Sequence, residues 1–253
     1  MATTHEHLLA RYHEARSKPT FEHKRLKKEG ALANLSHRQR AIRSLRQGNC
    51  VYIVTGNKDY GVGGIFFNID SLRAVDKVIR TKSWELKSRQ ALFGVMTPDD
   101  YFHQISNTRY SIDLIESPPV FVRTPVKQPH NFPEWAVNQA TGLPIVQCFL
   151  SDHVPHFGEF IREALAAGIR VGGTSLNLSG QGNITQLEMA LAFFHTRSSN
   201  PDIWLHTDHP FTGVSHTIIE LSSHSPRARL HRQGGIDFSA ICTKLGLQPL
   251  EEE

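Results

Sequence analysis

The stretch Gly172-Gly173-Thr174-Ser175-Leu176-Asn177-Leu178-Ser179-Gly180 decides the reading of this chain. It follows Ile169-Arg170-Val171, which reads as a short strand, and precedes a helical segment over 186–196 with Thr185 as the expected cap. A strand thus runs into a glycine-bounded loop of hydroxyl and carboxamide side chains, and the loop leads into a helix. Taken alone, such a loop is a turn of small polar residues. Its glycines at 172, 173 and 180 would also let backbone N–H groups approach an anion closely.

Outward from that loop the chain alternates strands and helices. Cys50-Val51-Tyr52-Ile53-Val54-Thr55 is β-branched and apolar and reads as a buried strand. Ile65-Phe66-Phe67, 91–96, 143–150, 203–205, 217–221 and 227–232 read as further strands. Helices are expected over 4–17, 36–48, 71–82, 155–167 and 236–245, and another is expected to start at Thr97-Pro98-Asp99-Asp100. Ser36 is the expected cap of the second helix and Gly48 its C-terminal glycine. In 71–82, capped by Asp70 or Ser71, the apolar face is expected to be Leu72, Val75, Val78 and Ile79. Residues 107–142 give no clear periodicity apart from Val120-Phe121-Val122. The interleaving predicts an α/β domain with a mixed sheet. Boundaries are expected at a basic helical extension over 1–35, a main domain over 36–246 and a tail over 247–253.

Composition narrows the functional classes. The 253 residues carry a net charge of +4, of which residues 1–48 supply +7 (11 Lys and Arg against 4 Asp and Glu), leaving −3 for the rest. A basic arm beside a near-neutral domain fits either a solvated helix packed on the domain or a polyanion partner such as tRNA or other RNA. No apolar run approaches the roughly 18 residues of a membrane span. The N-terminus has no apolar signal core, and the three cysteines show no metal-ligand spacing. A reducing, cytoplasmic setting is expected. His153-Val154-Pro155-His156 and His206-Thr207-Asp208-His209 bring ligand types together without the spacing of a zinc helix, and no protein metal site is expected.

The order of motifs resembles the YrdC-like family of L-threonylcarbamoyladenylate synthases. Ser175-Leu176-Asn177 matches the family's Ser-x-Asn element. His216-Thr217-Ile218-Ile219-Glu220 and Arg232-Gln233-Gly234 stand where the family has a Ser-Thr-apolar-apolar-acidic strand and an Arg-x-Gly. Tyr60-Gly61 matches an aromatic-Gly step, and Lys87-Ser88-Arg89 a Lys-x-Arg element. Aligning the preceding helix from Ala74-Val75 instead puts the lysine at Lys82, with Trp84 in the arginine's place. The Pro-Thr-acidic-Thr-Val-Tyr-Gly segment of the family reads Thr55-Gly56-Asn57-Lys58-Asp59-Tyr60-Gly61 here, and Gln147 stands nearest to the family's strand arginine.

The resemblance implies a YrdC/RibB-like twisted mixed sheet flanked by helices. It implies a transferase that joins ATP, bicarbonate and an amino acid into a carbamoyl-adenylate and pyrophosphate, the amino acid being threonine or a different amine. Lys87 and Arg89, or Lys82, would offset phosphate charge; Thr174, Ser175, Asn177 and Arg232 would bind ATP and its phosphates. Mg²⁺ would enter with ATP, held mainly by phosphate oxygens. Asn57, Tyr60 and His216 would line the amino-acid pocket. The alternative expectation is a non-catalytic tRNA- or duplex-RNA-binding module on the same fold, suggested by the basic N-terminus and the altered 55–61 segment.

Overall fold

The fold was analysed in a computed structural model that describes residues 4–18, 28–82, 93–138, 144–177, 182–198 and 202–250. The chain divides into two compact units, one of residues 1–86 and 175–214, the other of 87–174 and 215–253.

The first unit contains α1 (Thr4–Arg16), β1 (Glu29–Ala31), α2 (Leu35–Arg46), β2 (Val51–Gly56), β3 (Gly61–Asn68) and α3 (Leu72–Lys82). Part of the second unit, residues 87–174, then intervenes in sequence. There β4 (Gly94–Thr97), α4 (Asp99–Ile105), β5 (Phe121–Pro125), β6 (Ile145–Leu150), α5 (Phe157–Ala166) and β7 (Val171–Ser175) follow one another. The chain re-enters the first unit at Ser175, the last residue of β7, and continues there with α6 (Leu187–Arg197) and β8 (Ile203–His206). It closes in the second with β9 (Ile218–Leu221), β10 (Arg227–Arg232), α7 (Phe238–Lys244) and β11 (Gln248–Pro249).

In the first unit the strand order is β1-β8-β2-β3, with β8 parallel to both β1 and β2 and β3 antiparallel to β2. Every residue of β2 is buried, as its continuous apolar run predicts. Tyr52 meets Phe194 edge-on at 4.9 Å, and Phe194 lies 5.7 Å from Trp204, joining β2, α6 and β8 into one aromatic core. In the second unit the order is β7-β4-β6-β5-β9-β10-β11 and again mixes parallel and antiparallel pairs. Its core centres on Phe149, Phe157 and Phe160. The expected α/β class with mixed strand pairing is the observed one. No helix among the described residues is long and apolar enough to cross a membrane.

Several local expectations are corrected. Asn34, not Ser36, caps α2, its Oδ1 accepting from the backbone N–H of Ser36 and of His37; Gly48 does adopt the positive φ, +74°, of a C-terminal glycine. Ser71 Oγ takes the N–H of Ala74 at the start of α3. Thr185 does not cap α6, whose cap position is Gln186 with no side-chain bond. Leu72 is 70% exposed, and the buried face of α3 is Ala74, Val75, Val78, Thr81 and Lys82. That face is rotated toward Lys82 because the lysine's ammonium has acceptors within the unit.

Residues 4–16 and 29–31, both placed in the basic extension by sequence, have partners in the first unit. Leu8 and Tyr12 are buried, Tyr12 stacks on His195 at 5.5 Å, and Arg16 lies 3.7 Å from Glu188. β1 pairs with β8, and Glu29 bridges two histidines: His195 Nε2 lies 3.0 Å from its Oε1 and His206 Nε2 2.7 Å from its Oε2. Burial alone would raise the Glu29 carboxyl, but the hydrogen bonds and charges of the two histidines prevail and hold it at about 2. A carboxyl lowered on folding adds stability above its ordinary value near 4.5, and that stability fades as pH falls through about 2. Glu29→Gln is therefore expected to remove up to about 3 kcal/mol of stability at pH 5. It should also flatten the acid limb between pH 4.5 and 2. Denaturant titrations at pH 5 and pH 3 check this; equal acid limbs in the two proteins would refute it.

Candidate functional site

Lys82, the last residue of α3, is 2% exposed. Its Nζ donates to the Ser175 carbonyl oxygen at 2.5 Å, to Asn177 Oδ1 at 2.8 Å and to Ser175 Oγ at 3.4 Å. Ser175 Oγ donates to Asn177 Oδ1 at 2.7 Å, and the Asn177 N–H returns to the Ser175 carbonyl at 3.1 Å. The Ser-x-Asn element thus folds around one ammonium group, and each of these acceptors is neutral. A buried ammonium needs acceptors for its three protons, which explains why the polar loop sits at the end of an otherwise apolar helix face.

The intervening residue fixes the turn. Leu176 is buried, and its N–H bonds to the Gly63 carbonyl at 2.7 Å. A Cβ on Gly63 would stand 2.8 Å from Leu176 Cδ2, so β3 needs glycine there for the loop to close down on it. With Leu176 turned in, residues 175 and 177 stand on the more open side, Ser175 exposed and Asn177 partly so.

Lys82 is the alternative lysine of the sequence reading, and it is brought together with Ser175 and Asn177. Lys87 and Arg89, and residues 178–180 of the loop, lie outside the described residues. Thr174 is the partly exposed penultimate residue of β7.

The candidates at 57 and 60 form a turn in the first unit. Asn57 Oδ1 accepts from the N–H of Asp59 and of Tyr60, at 2.9 and 3.0 Å. Tyr60 is buried, which raises its phenol well above the ordinary value.

His216 and Arg232 belong to the second unit. His216 is buried beside Phe149 and Phe121, with ring centroids 4.7 and 5.9 Å away. Arg232 Nη2 donates to the His216 carbonyl at 3.2 Å. Gly234 permits this hairpin-like approach, because a Cβ there would lie 2.3 Å from both the Ser215 carbonyl oxygen and the Thr217 nitrogen. Thr217 Oγ1 accepts the Gly234 N–H at 3.0 Å and donates to the Ile236 carbonyl. The motif pair read in sequence as strand and Arg-x-Gly is therefore one interlocked element.

Sequence reasoning missed Arg123. It stands opposite Gln147 across the β5–β6 ladder, with Nη1 2.9 Å from Glu220 Oε2 and 2.8 Å from His231 Nδ1. Its signal was an arginine directly after the apolar Val120-Phe121-Val122, on the strand paired with the one where Gln147 stands nearest to the family's arginine.

His206 bonds Glu29 and His153 Nε2 lies 3.2 Å from Asp99 Oδ1. Among the described residues no set of three or more His, Cys, Asp or Glu side chains is arranged to hold a metal ion.

No protein-family model and no curated protein matches the sequence. Solved structures do. Pyrococcus abyssi Sua5 complexed with L-threonine aligns with a TM-score of 0.60 at 18% identity, over 84% of this chain and 58% of that one. E. coli YciO aligns with a TM-score of 0.58 at 14% identity, over 83% of this chain and 95% of that one. Full-length HypF in its phosphate- and nucleotide-bound form aligns with a TM-score of 0.57 at 16% identity, over 78% of this chain and 29% of that one. The fold is therefore YrdC-like, as the resemblance implied. The chain spans less than two thirds of the length of the Sua5 it matches.

Proposed function

We propose that this chain is an adenylate-forming transferase that binds ATP at the Lys82–Ser175–Asn177 cluster. It joins bicarbonate and an amino acid or other amine as a carbamate, which attacks the α-phosphate and releases pyrophosphate. The observation that carries the reading is the buried Lys82 ammonium held by both polar residues of the Ser-x-Asn loop. An ammonium placed beside phosphate oxygens offsets the charge that gathers as carbamate and triphosphate meet, and its fixed position spares the reaction a rearrangement. Ser175 and Asn177 would bind the phosphates, and Mg²⁺ would enter with ATP, held mainly by phosphate oxygens, where it would neutralise the leaving pyrophosphate. The bound species in the similar structures, L-threonine in Sua5 and phosphate and nucleotide in HypF, agree with this chemistry.

The RNA-binding alternative draws less support. Part of the basic N-terminal charge is engaged internally: Arg38 donates to the Leu32 and Ala33 carbonyls, Arg40 to that of Glu29, and Arg16 faces Glu188.

The test is pyrophosphate release from ATP with bicarbonate and a panel of amino acids and amines. Release should require all three components and fall about a hundredfold or more in Ser175→Ala/Asn177→Ala, whose side chains are not in the core. No release above that variant with any member of the panel would remove the reading.

A further inference from the structure

The second unit holds a cavity of about 480 Å³ that shares no residue with the Lys82 cluster. One wall is α4, which presents Tyr101, Gln104 and Ile105 from one face at helical spacing. The opposite wall is the segment after β5, with Lys127, Gln128, Asn131 and Phe132, and Arg170 completes it from just before β7. The walls are tied together rather than loosely apposed. The Lys127 N–H bonds the Ile105 carbonyl at 2.9 Å, and Lys127 Nζ bonds the His103 carbonyl at 2.9 Å. Arg170 donates to the Asn131 carbonyl, and its guanidinium lies over the Phe132 ring at 5.4 Å.

The lining has a definite chemistry. No lining residue is acidic, and two are cations. Lys127 is exposed and Arg170 partly so. The field inside such a cleft is positive and selects an anion. An anion site alone would not need a phenol ring and three carboxamides, which stand among the remaining residues with Ile105 and Phe132. Aromatic rings accept flat heterocycles, and carboxamides both donate and accept, as a base edge requires. The volume falls within the range of small-molecule sites.

We propose that this pocket binds a nucleotide unit, its phosphate at Lys127 and Arg170 and its base beside Tyr101 with an edge on Gln104 and Gln128. A free mononucleotide and one residue of a single-stranded RNA share that chemistry. Both sources are separable by experiment.

The test is ultraviolet photolabelling of the full chain with 8-azido-AMP, followed by peptide mapping by mass spectrometry. Label is expected within 101–105 or 128–132. It should drop roughly tenfold or more in Lys127→Ala/Arg170→Ala, since charge-assisted contacts are lost. Gln104→Glu/Gln128→Glu keeps the cations and their backbone bonds but cancels their charge with two carboxylates, and should show a similar drop. Matched thermal melts establish that each variant is folded. Unlabelled AMP and an RNA octamer serve as competitors: displacement by the octamer at lower concentration identifies a strand-binding pocket, and displacement by AMP at equal or lower concentration a mononucleotide pocket. Either result upholds the proposal. It is overturned if both peptides stay unlabelled, if neither double variant changes the label, or if inorganic phosphate displaces it as well as AMP does. Pyrophosphate release in these variants should stay at the wild-type level, so failure here leaves the reading of the Lys82 cluster untouched.

Discussion

Lys82→Met is expected to lower ATP-dependent pyrophosphate release by about a hundredfold or more. Methionine keeps the length and much of the volume of lysine, so the α3 face that buries Val75 and Val78 stays filled. What disappears is the ammonium. Two effects follow from that loss. The charge facing the phosphates is gone, which weakens the transition state more than the ground state because negative charge is redistributed during transfer. The Ser175 carbonyl and Asn177 Oδ1 also lose their common donor, so the loop is no longer tied to the end of α3. Lys82→Arg retains charge, but its planar fork does not reproduce a point donor to three acceptors, and partial activity is expected. Steady-state pyrophosphate assays on the two variants, with melts to establish folding, decide it. Wild-type release from the methionine variant would exclude the lysine from the chemistry.

Asp202→Ala is expected to cost about 3 kcal/mol, equivalent to roughly 6–12 °C in Tm for a chain of this size. The Asp202 side chain is fully buried in the first unit, where Oδ1 accepts both the Cys50 N–H at 2.8 Å and Lys77 Nζ at 2.5 Å. Its removal strips a carboxylate from a largely buried ammonium and an acceptor from the N–H of Cys50, the residue just before β2. The larger part of the cost is the stranded charge rather than the lost attraction. Lys77→Met/Asp202→Asn removes both charges and leaves an oxygen for Cys50, and should recover most of the loss. Denaturation of the three proteins checks the ordering; a double variant as unstable as Asp202→Ala would show that the backbone bond, not the charge, dominates.

Much of this fold was legible in the sequence because its signals are local. The apolar run 50–55 became β2, the strand–loop–helix around 172–180 placed β7 and α6, and the 71–82 periodicity gave α3 to within a residue. The face of α3 was less legible. Leu72 outweighs Lys82 on any hydropathy count, yet the lysine is inside and the leucine outside, because burial was decided by acceptors more than ninety residues away in sequence. The same holds for Glu29, whose histidine partners lie 166 and 177 residues downstream. β1 itself is three residues of Glu-Gly-Ala with no strand propensity, recruited by the free side of β8. Within the candidate site the polar character of the Ser-x-Asn loop was legible by residue type. Which lysine it meets was a question of three-dimensional register, and two positions five residues apart were equally readable.

The two terminal strands bear on how this protein behaves at high concentration. β1, at one end of the first unit's strand order, is three residues long, and β11, at the end of the second's, is two residues including Pro249. Such short margins expose little backbone for another chain to zip onto, and proline offers no N–H at all. Self-association by strand addition is thereby discouraged at the β1 margin; at the other, β11 covers only Arg227 and Ala228 of β10, and Arg229 and Arg232 charge the rest of that strand.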